Sequence, residues 1–290
     1  MTKTILPASS NLRHETCFAE LATHLRAASR EAVLFYVANP GNWGDAMIAA
    51  GTRQMLTTFR ISTVIISFGL ARRLPARLFR IFSRGKQTML VFGGGGALTP
   101  RYRRLFQIRQ LAAKFDRLLL LPSTIGVELT SDPLHPRSVV FRRDNAESAS
   151  LAPSSFFCHD LAFFLQLPGV PIEKRRGFFF RRDVEAAGHS PPNHNVDLSG
   201  MGTHRSNPSR FAQTIGRYET VYTDRLHVAI IATMLGRRTH LFPNNYFKNR
   251  AIYHSSLHER FPNVSFHEDL EAMPSVENGC PFHDPRTVAA

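Results

Sequence analysis

Thr88-Met89-Leu90-Val91-Phe92, followed by Gly93-Gly94-Gly95-Gly96, is the stretch that decides the fold class of this chain. Its unbroken apolar run fits a strand buried on both faces, as in the interior of a parallel sheet. The glycines then remove all side chains at the carboxyl end of that strand, where open α/β sheets bind ligands. The block is not G-x-G-x-x-G, and no Gly-Lys-Ser/Thr follows, so neither a dinucleotide fingerprint nor a P-loop is met. Close packing between two parts of the molecule would account for the same glycines.

The flanking segments repeat this pattern. Residues 32–38, 63–68 and 118–121 are short apolar runs expected as strands. Residues 45–58, 70–84 and a stretch ending near 115 carry helical spacing. This alternation predicts a parallel sheet covered by helices on both faces. The pattern restarts after residues 145–155. Strands are expected at 177–180, 219–223 and 239–242, and helices at 226–235 and 250–259. Residues 187–208 are rich in Pro, Asn, His and Gly and read as an irregular loop. The chain thus reads as α/β with two similar halves, residues 1–148 and 149–290. Its end, from about residue 271, is expected to be a loosely ordered tail.

Composition narrows the class. A hydrophobic content of 43% over 290 residues suffices for a packed core. No apolar stretch approaches the roughly 20 residues that span a bilayer. The first thirty residues contain no apolar signal region, and Cys17, Cys158 and Cys280 lie far apart without C-x-x-C spacing. The expected location is therefore the cytoplasm, with reduced thiols. A net charge of +14 admits nucleic acid, an anionic membrane surface or acidic substrates as partners. Zinc-finger spacing, RNP-like aromatics and a basic heptad helix are all missing, which disfavours nucleic acid. Residues 70–84 interleave Leu70, Leu74, Leu78, Ile81 and Phe82 with five arginines. That pattern suits a helix lying on anionic lipid, or an ordinary surface helix over the core. Pro75 falls in its first turn, where a helix tolerates proline.

Thr223-Asp224-Arg225-Leu226-His227 stands at a strand-to-helix turn. Asp224 is placed to cap the helix. Arg225 and His227 put a fixed cation and a titratable imidazole two residues apart. A helix N-terminus favours anions, because its first N–H groups lack partners. Arg225 adds a planar fork for carboxylate or phosphate, and His227 can move a proton near neutral pH. The set suits a small anionic substrate that gains or loses a proton. The plainer alternative pairs Arg225 with a local carboxylate and buries His227 in the core.

Arg181 and Arg182 close a strand, where they can clamp phosphate or simply pair with Asp183 and Glu185. The turn Pro40-Gly41-Asn42-Trp43-Gly44-Asp45 holds the chain's single Trp, which favours a binding loop, while Asp45 can cap the following helix. His254 and His258 lie one helical turn apart without a third ligand, so they read as surface histidines and not as a metal pair. Cys158 and His159 point to opposite faces of a strand and form no dyad.

Taken in order, these pieces resemble the polysaccharide pyruvyl transferase family over residues 33–257. Gly41-Asn42-Trp43-Gly44-Asp45 resembles its GNxGD signature, and Phe92 to Gly96 its glycine block. Phe141-Arg142-Arg143-Asp144 with Glu147-Ser148 resembles an "aRD..S" element, and Asp160-Leu161-Ala162 a D-x-A segment. Phe180-Arg181-Arg182-Asp183 and the Thr223 to His227 stretch match second-half motifs, and Tyr246-Phe247-Lys248-Asn249 a "Y-x-K-N" turn. Val228 departs from the glycine found in many relatives after the histidine.

The resemblance implies two Rossmann-like domains with parallel sheets facing a cleft, in the manner of glycosyltransferase-B enzymes. Acceptor residues would lie in the first half and donor residues in the second. It implies transfer of pyruvate from phosphoenolpyruvate onto a sugar hydroxyl pair, giving a ketal on an exopolysaccharide, capsule or cell-wall glycan. The sugar would be lipid-linked or soluble; peripheral contact with the inner face of the membrane is an expectation that rests on the 70–84 pattern. No cofactor or metal is implied beyond phosphoenolpyruvate as co-substrate. Carried onto this chain, the catalytic pair is Arg225 and His227. Arg181, Arg182, Arg225 and Lys248 would bind the donor, and Asn42, Asp45, Gly94 and Gly95 the acceptor or the cleft. The competing readings are a sugar-nucleotide glycosyltransferase of the same architecture and a catalytically silent glycan- or membrane-binding protein.

Overall fold

A computed structural model describes residues 12–269, apart from 101–102, 188–190 and 193. Two parallel sheets organise the chain. The first half runs α1 (Thr16–Glu31), β1 (Ala32–Val37), α2 (Trp43–Thr58), β2 (Val64–Ile65), α3 (Phe68–Arg73), α4 (Ala76–Phe82), β3 (Gln87–Phe92) and β4 (Gly95–Leu98). It continues with α5 (Arg104–Ala112), β5 (Arg117–Ile125), β6 (Ser138–Arg142), α6 (Glu147–Leu151) and β7 (Phe156–Phe157). The sheet order is β2-β1-β3-β5-β6-β7, with β4 also on β5. The second half runs β8 (Lys174–Phe179), α7 (Pro208–Gly216), β9 (Tyr218–Thr223), α8 (Leu226–Met234), β10 (Arg238–Leu241), α9 (Lys248–Ile252) and β11 (Val264–Phe266). Its order is β11-β10-β9-β8, with every pairing parallel.

Three local expectations are corrected. The helix expected over residues 70–84 is two helices, α3 and α4, and Pro75 caps the second. Leu74 is extended at φ −68 and ψ 135, because a proline disfavours helical backbone in the residue before it. The strand expected at 63–68 shrinks to the two exposed residues of β2 on the sheet edge. β6 was not expected at all; it is five residues ending in Arg142, too short and too polar at its ends to stand out. β7 pairs with β6 beyond residue 148, so the first sheet runs past the boundary read from the sequence. The expected tail lies outside the described residues.

Apolar residues cover the first sheet on both faces. On one side Phe35, Leu90, Phe92, Phe79 and Phe115 pack together. On the other, the cluster passes through Met47 of α2 into Phe163, Phe211 and Ile230 of the second half. Each fully buried Phe, Ile or Met stabilises the fold by about 1.5–3 kcal/mol, so this shared core ties the halves together. α2 approaches its neighbour so closely that a Cβ on Gly51 would strike the carbonyl of Leu161. Among the described residues no helix is long and apolar enough to cross a membrane.

Candidate active site

The chain leaves β1 outward to β2 and returns to β3 on the other side of β1, so the order reverses between β1 and β3. At such a reversal the connections diverge and open a crevice at the strands' carboxyl ends. A cavity of about 290 Å³ opens there. Asn39, Pro40 and Gly41 after β1 and Gly96 after β3 line it, together with residues that follow β8, β9 and β10.

The glycine block divides its work. Gly94 is buried, and a Cβ there would meet the carbonyl oxygen of Pro122, so close packing explains it and it does not line the cavity. Gly95 takes φ +112, a conformation that side chains disfavour, and lies against Asp45. Gly96 provides the open wall.

Asn42 and Asp45 form a capping box on α2. Asn42 Oδ1 accepts from Gly44 N–H at 2.8 Å, and Asp45 Oδ2 accepts from Asn42 N–H at 2.9 Å. Both also face the cavity. Burial pushes the Asp45 carboxyl up, against the pull of His227 and the Asn42 N–H. Trp43 does not line the cavity. Its Nε1–H donates to the Asn207 carbonyl at 3.0 Å and its ring packs on Phe211, so it joins the loop to the second half.

Four segments of the second half supply a lattice of ions. Arg225 is at the N-cap position of α8 and is almost wholly buried. Its Nε and Nη2 donate to Asp197 at 2.9 and 2.5 Å, and Nη1 donates to Asp183 at 2.7 Å. Arg181 pairs with Asp183 at 3.0 Å and with Glu185, and Lys248 meets Glu185 at 2.5 Å. The carboxylates that the sequence offered as plain partners of the arginines therefore do pair with them, yet the pairs stand in the cavity wall. Burial alone would raise Asp183, but Arg181 and Arg225 hold it below its ordinary range. Burial pulls the Lys248 amine down to about 8 despite Glu185.

Asp224 is not the cap of α8. Its Oδ1 accepts the Arg181 N–H at 2.8 Å, while the Arg225 N–H goes to Thr223 Oγ1. Arg182 is exposed and outside the cavity lining, because neighbouring residues on extended backbone point to opposite sides.

His227 lies on the first turn of α8. Its Nε2 is 3.4 Å from Asp160 Oδ2, and a Cβ on Gly44 would run into its Nδ1. The pieces GNWGD and TDRLH are thus one contact, with the second glycine of the first making room for the imidazole of the second. Asp160 is fully buried, pairs with Arg143 and accepts the Ala162 N–H at 2.8 Å. Burial would raise that carboxyl, but Arg143 and His227 hold it well below the usual carboxylate range. Arg143 in turn donates from Nε to Thr124 Oγ1 at 2.9 Å and reaches the cavity. Arg104, the first residue of α5, adds a further cation and donates to the Pro40 carbonyl at 3.1 Å.

Four arginines (Arg104, Arg143, Arg181 and Arg225), Lys248 and one imidazole therefore face three lining carboxylates in a small cavity. A model of the family described as polysaccharide pyruvyl transferase matches residues 42–246, most of the chain and twelve of the sixteen residues that line the cavity. The chain belongs to the polysaccharide pyruvyl transferase family. A crystal structure of a functionally uncharacterised Klebsiella pneumoniae protein is similar to this chain, with 26% identity and a TM-score of 0.72. The likeness covers 88% of this chain and all of that one. No curated protein matches it.

Of the residues expected from the sequence, Arg181, Arg225, His227, Lys248, Asn42 and Asp45 meet at this cavity, whereas Arg182, Gly94 and Gly95 do not line it. The sequence-based reading named no role for Arg104, Arg143 and Asp160. Arg143 and Asp160 stood in quoted motifs, but nothing local marks a buried Arg–Asp pair as the support of a histidine far along the chain.

Proposed function

We propose that the cavity binds phosphoenolpyruvate beside a sugar hydroxyl pair and transfers the pyruvyl group to form a cyclic ketal. The observation that supports this best is the convergence of four arginines and Lys248 on a histidine backed by a buried carboxylate. Phosphoenolpyruvate carries a carboxylate and a phosphate, and both suit guanidinium forks. The volume lies at the small end for ligand sites, as a three-carbon donor and the edge of a sugar require.

In this reading His227, with Nε2 3.4 Å from Asp160 Oδ2, is the group that exchanges a proton with substrate. His227 protonates C3 of the enol, and an acceptor hydroxyl oxygen adds to C2. Phosphate then leaves, taking the C2–O bond pair. The second hydroxyl closes the ring on C2, and both hydroxyl protons pass out through base and solvent. The net change is donor plus diol to ketal plus phosphate, without a redox cofactor. Arg143, Arg181, Arg225 and Lys248 hold the donor charge, which suits an anion that changes form through the step. Asn42 and Asp45 take the acceptor side. The two sheets, with carboxyl ends toward one cavity, correspond in this reading to two Rossmann-like domains facing a cleft. The enzyme would work in the cytoplasm on an exopolysaccharide, capsule or cell-wall sugar.

Phosphate release from phosphoenolpyruvate with a panel of acceptor sugars tests the reading. Acceptor-dependent release is expected. Turnover of a nucleotide-sugar, with none from phosphoenolpyruvate, would assign the cavity to glycosyl transfer instead.

A further inference from the structure

The net charge of this chain is concentrated. From Ala46 to Phe115 no Asp or Glu occurs, whereas thirteen Lys and Arg do, against a net charge of +14 for the whole protein. None of the proposed chemistry uses more than Arg104 from this stretch. Five of the ten large apolar side chains exposed among the described residues fall in its first part: Val64, Ile65, Leu70, Ile81 and Phe82, at 46–67% exposure. They occupy edge strand β2 and helices α3 and α4, whose exposed charges Arg72, Arg73, Arg77 and Arg80 are all cations. Below α4 a second cavity of about 300 Å³ is lined by Arg80, Lys86 and Arg137, with Asp116 as the one carboxylate. Asp116 is engaged by the N–H and hydroxyl of Thr88 at 2.8 and 2.9 Å.

We infer that the β2–α3–α4 face docks on an anionic lipid bilayer, with Ile81 and Phe82 entering the interface and the arginines meeting phosphate headgroups. Apolar side chains projecting among cations are the composition of an interfacial element. Clustered Lys and Arg beside an anionic leaflet each strengthen binding about fivefold. A second copy of the chain is a poor occupant, because a two-fold contact would set the same arginines against each other. Nucleic acid is a poor one too, because the exposed apolar groups are mainly aliphatic and offer no stacking platform. The face also adjoins the first cavity. Phe68, which opens α3, carries the Arg104 guanidinium 4.9 Å above its ring, and Arg104 lines that cavity.

The test is sedimentation of the full chain with vesicles of phosphatidylcholine alone or mixed with phosphatidylglycerol, at low and high salt. Binding is expected to the anionic vesicles only, weakened by salt. Phe82→Ser with Ile81→Ser is expected to lower it at least tenfold, and Arg73→Ser with Arg77→Ser about twentyfold. Both variants should keep the wild-type phosphate-release rate on soluble substrates, which separates docking from folding and from the reaction. Absence of binding to anionic vesicles, or equal binding by both variants, would overturn the inference. So would a dimer that dissociates in Phe82→Ser, or RNA binding without vesicle binding.

Discussion

Three distant segments shape the surroundings of His227. Asp160 takes one ring nitrogen, Gly44 leaves space beside the other, and Arg143 keeps Asp160 ionised. In the proposed reaction Asp160 acts through the histidine, so Asp160→Asn should shift the pH profile of turnover as well as lower kcat, by about 10–100-fold. A fall in kcat with the pH profile unmoved would assign Asp160 to folding alone. Gly44→Ala places a methyl where the imidazole lies. It should cost activity on the scale of the histidine substitution itself, with far less effect on an unfolding midpoint. Retained activity would show that the ring can sit elsewhere. The residues legible in advance were those in short motifs: Arg181, Arg225, His227 and Lys248. Asp183 and Glu185 were legible as neighbours of Arg181, but the Asp160–His227 pairing was not, since the two lie 67 positions apart and a pairing at that distance leaves no mark on a single sequence.

Among the elements, the apolar strands and the turn glycines were readable because burial on both faces and side-chain removal are local properties of sequence. Residues 70–84 were misread as one helix because their amphipathic period continues across Pro75, while the backbone restriction at Leu74 ends α3. β6 escaped because its neighbours, and not its own pattern, make it a strand. α2 carries most of the burden at this scale, since its N-terminus caps into the cavity and its middle packs on residues 161–164. Gly51→Ala should therefore destabilise the protein by about 1–3 kcal/mol through the clash with the Leu161 carbonyl. Urea unfolding measures this, and an unchanged midpoint would mean the helix can retreat without cost.

Across the whole molecule, one apolar cluster runs from the first sheet through α2 to α7 and α8, so the cavity walls are joined by core and not by a linker. The same burial loads the fold with a titrating carboxyl. Burial pushes Asp224 up to about 7 although the Arg181 N–H and guanidinium oppose it, and its Oδ2 has no hydrogen-bond partner among the described residues. Between its ordinary value near 4 and this one, the folded chain keeps a proton that the unfolded chain has lost. This group's contribution is therefore present below pH about 4 and is lost as pH rises through about 7. Asp224→Asn, which cannot ionise, should gain stability relative to wild type between pH 4.5 and 7.5 (values chosen to bracket that window). Equal differences in denaturant midpoint across that range would contradict the shift.

The central claim is that His227 transfers the proton in a cavity built to hold phosphoenolpyruvate. The most direct test measures acceptor-dependent phosphate release by wild type and His227→Gln, alongside phosphoenolpyruvate binding by calorimetry. The account expects turnover to fall by about 10²–10⁴ while donor binding stays within about tenfold, since the cations remain. Near-full turnover with an unchanged pH profile in His227→Gln would contradict it.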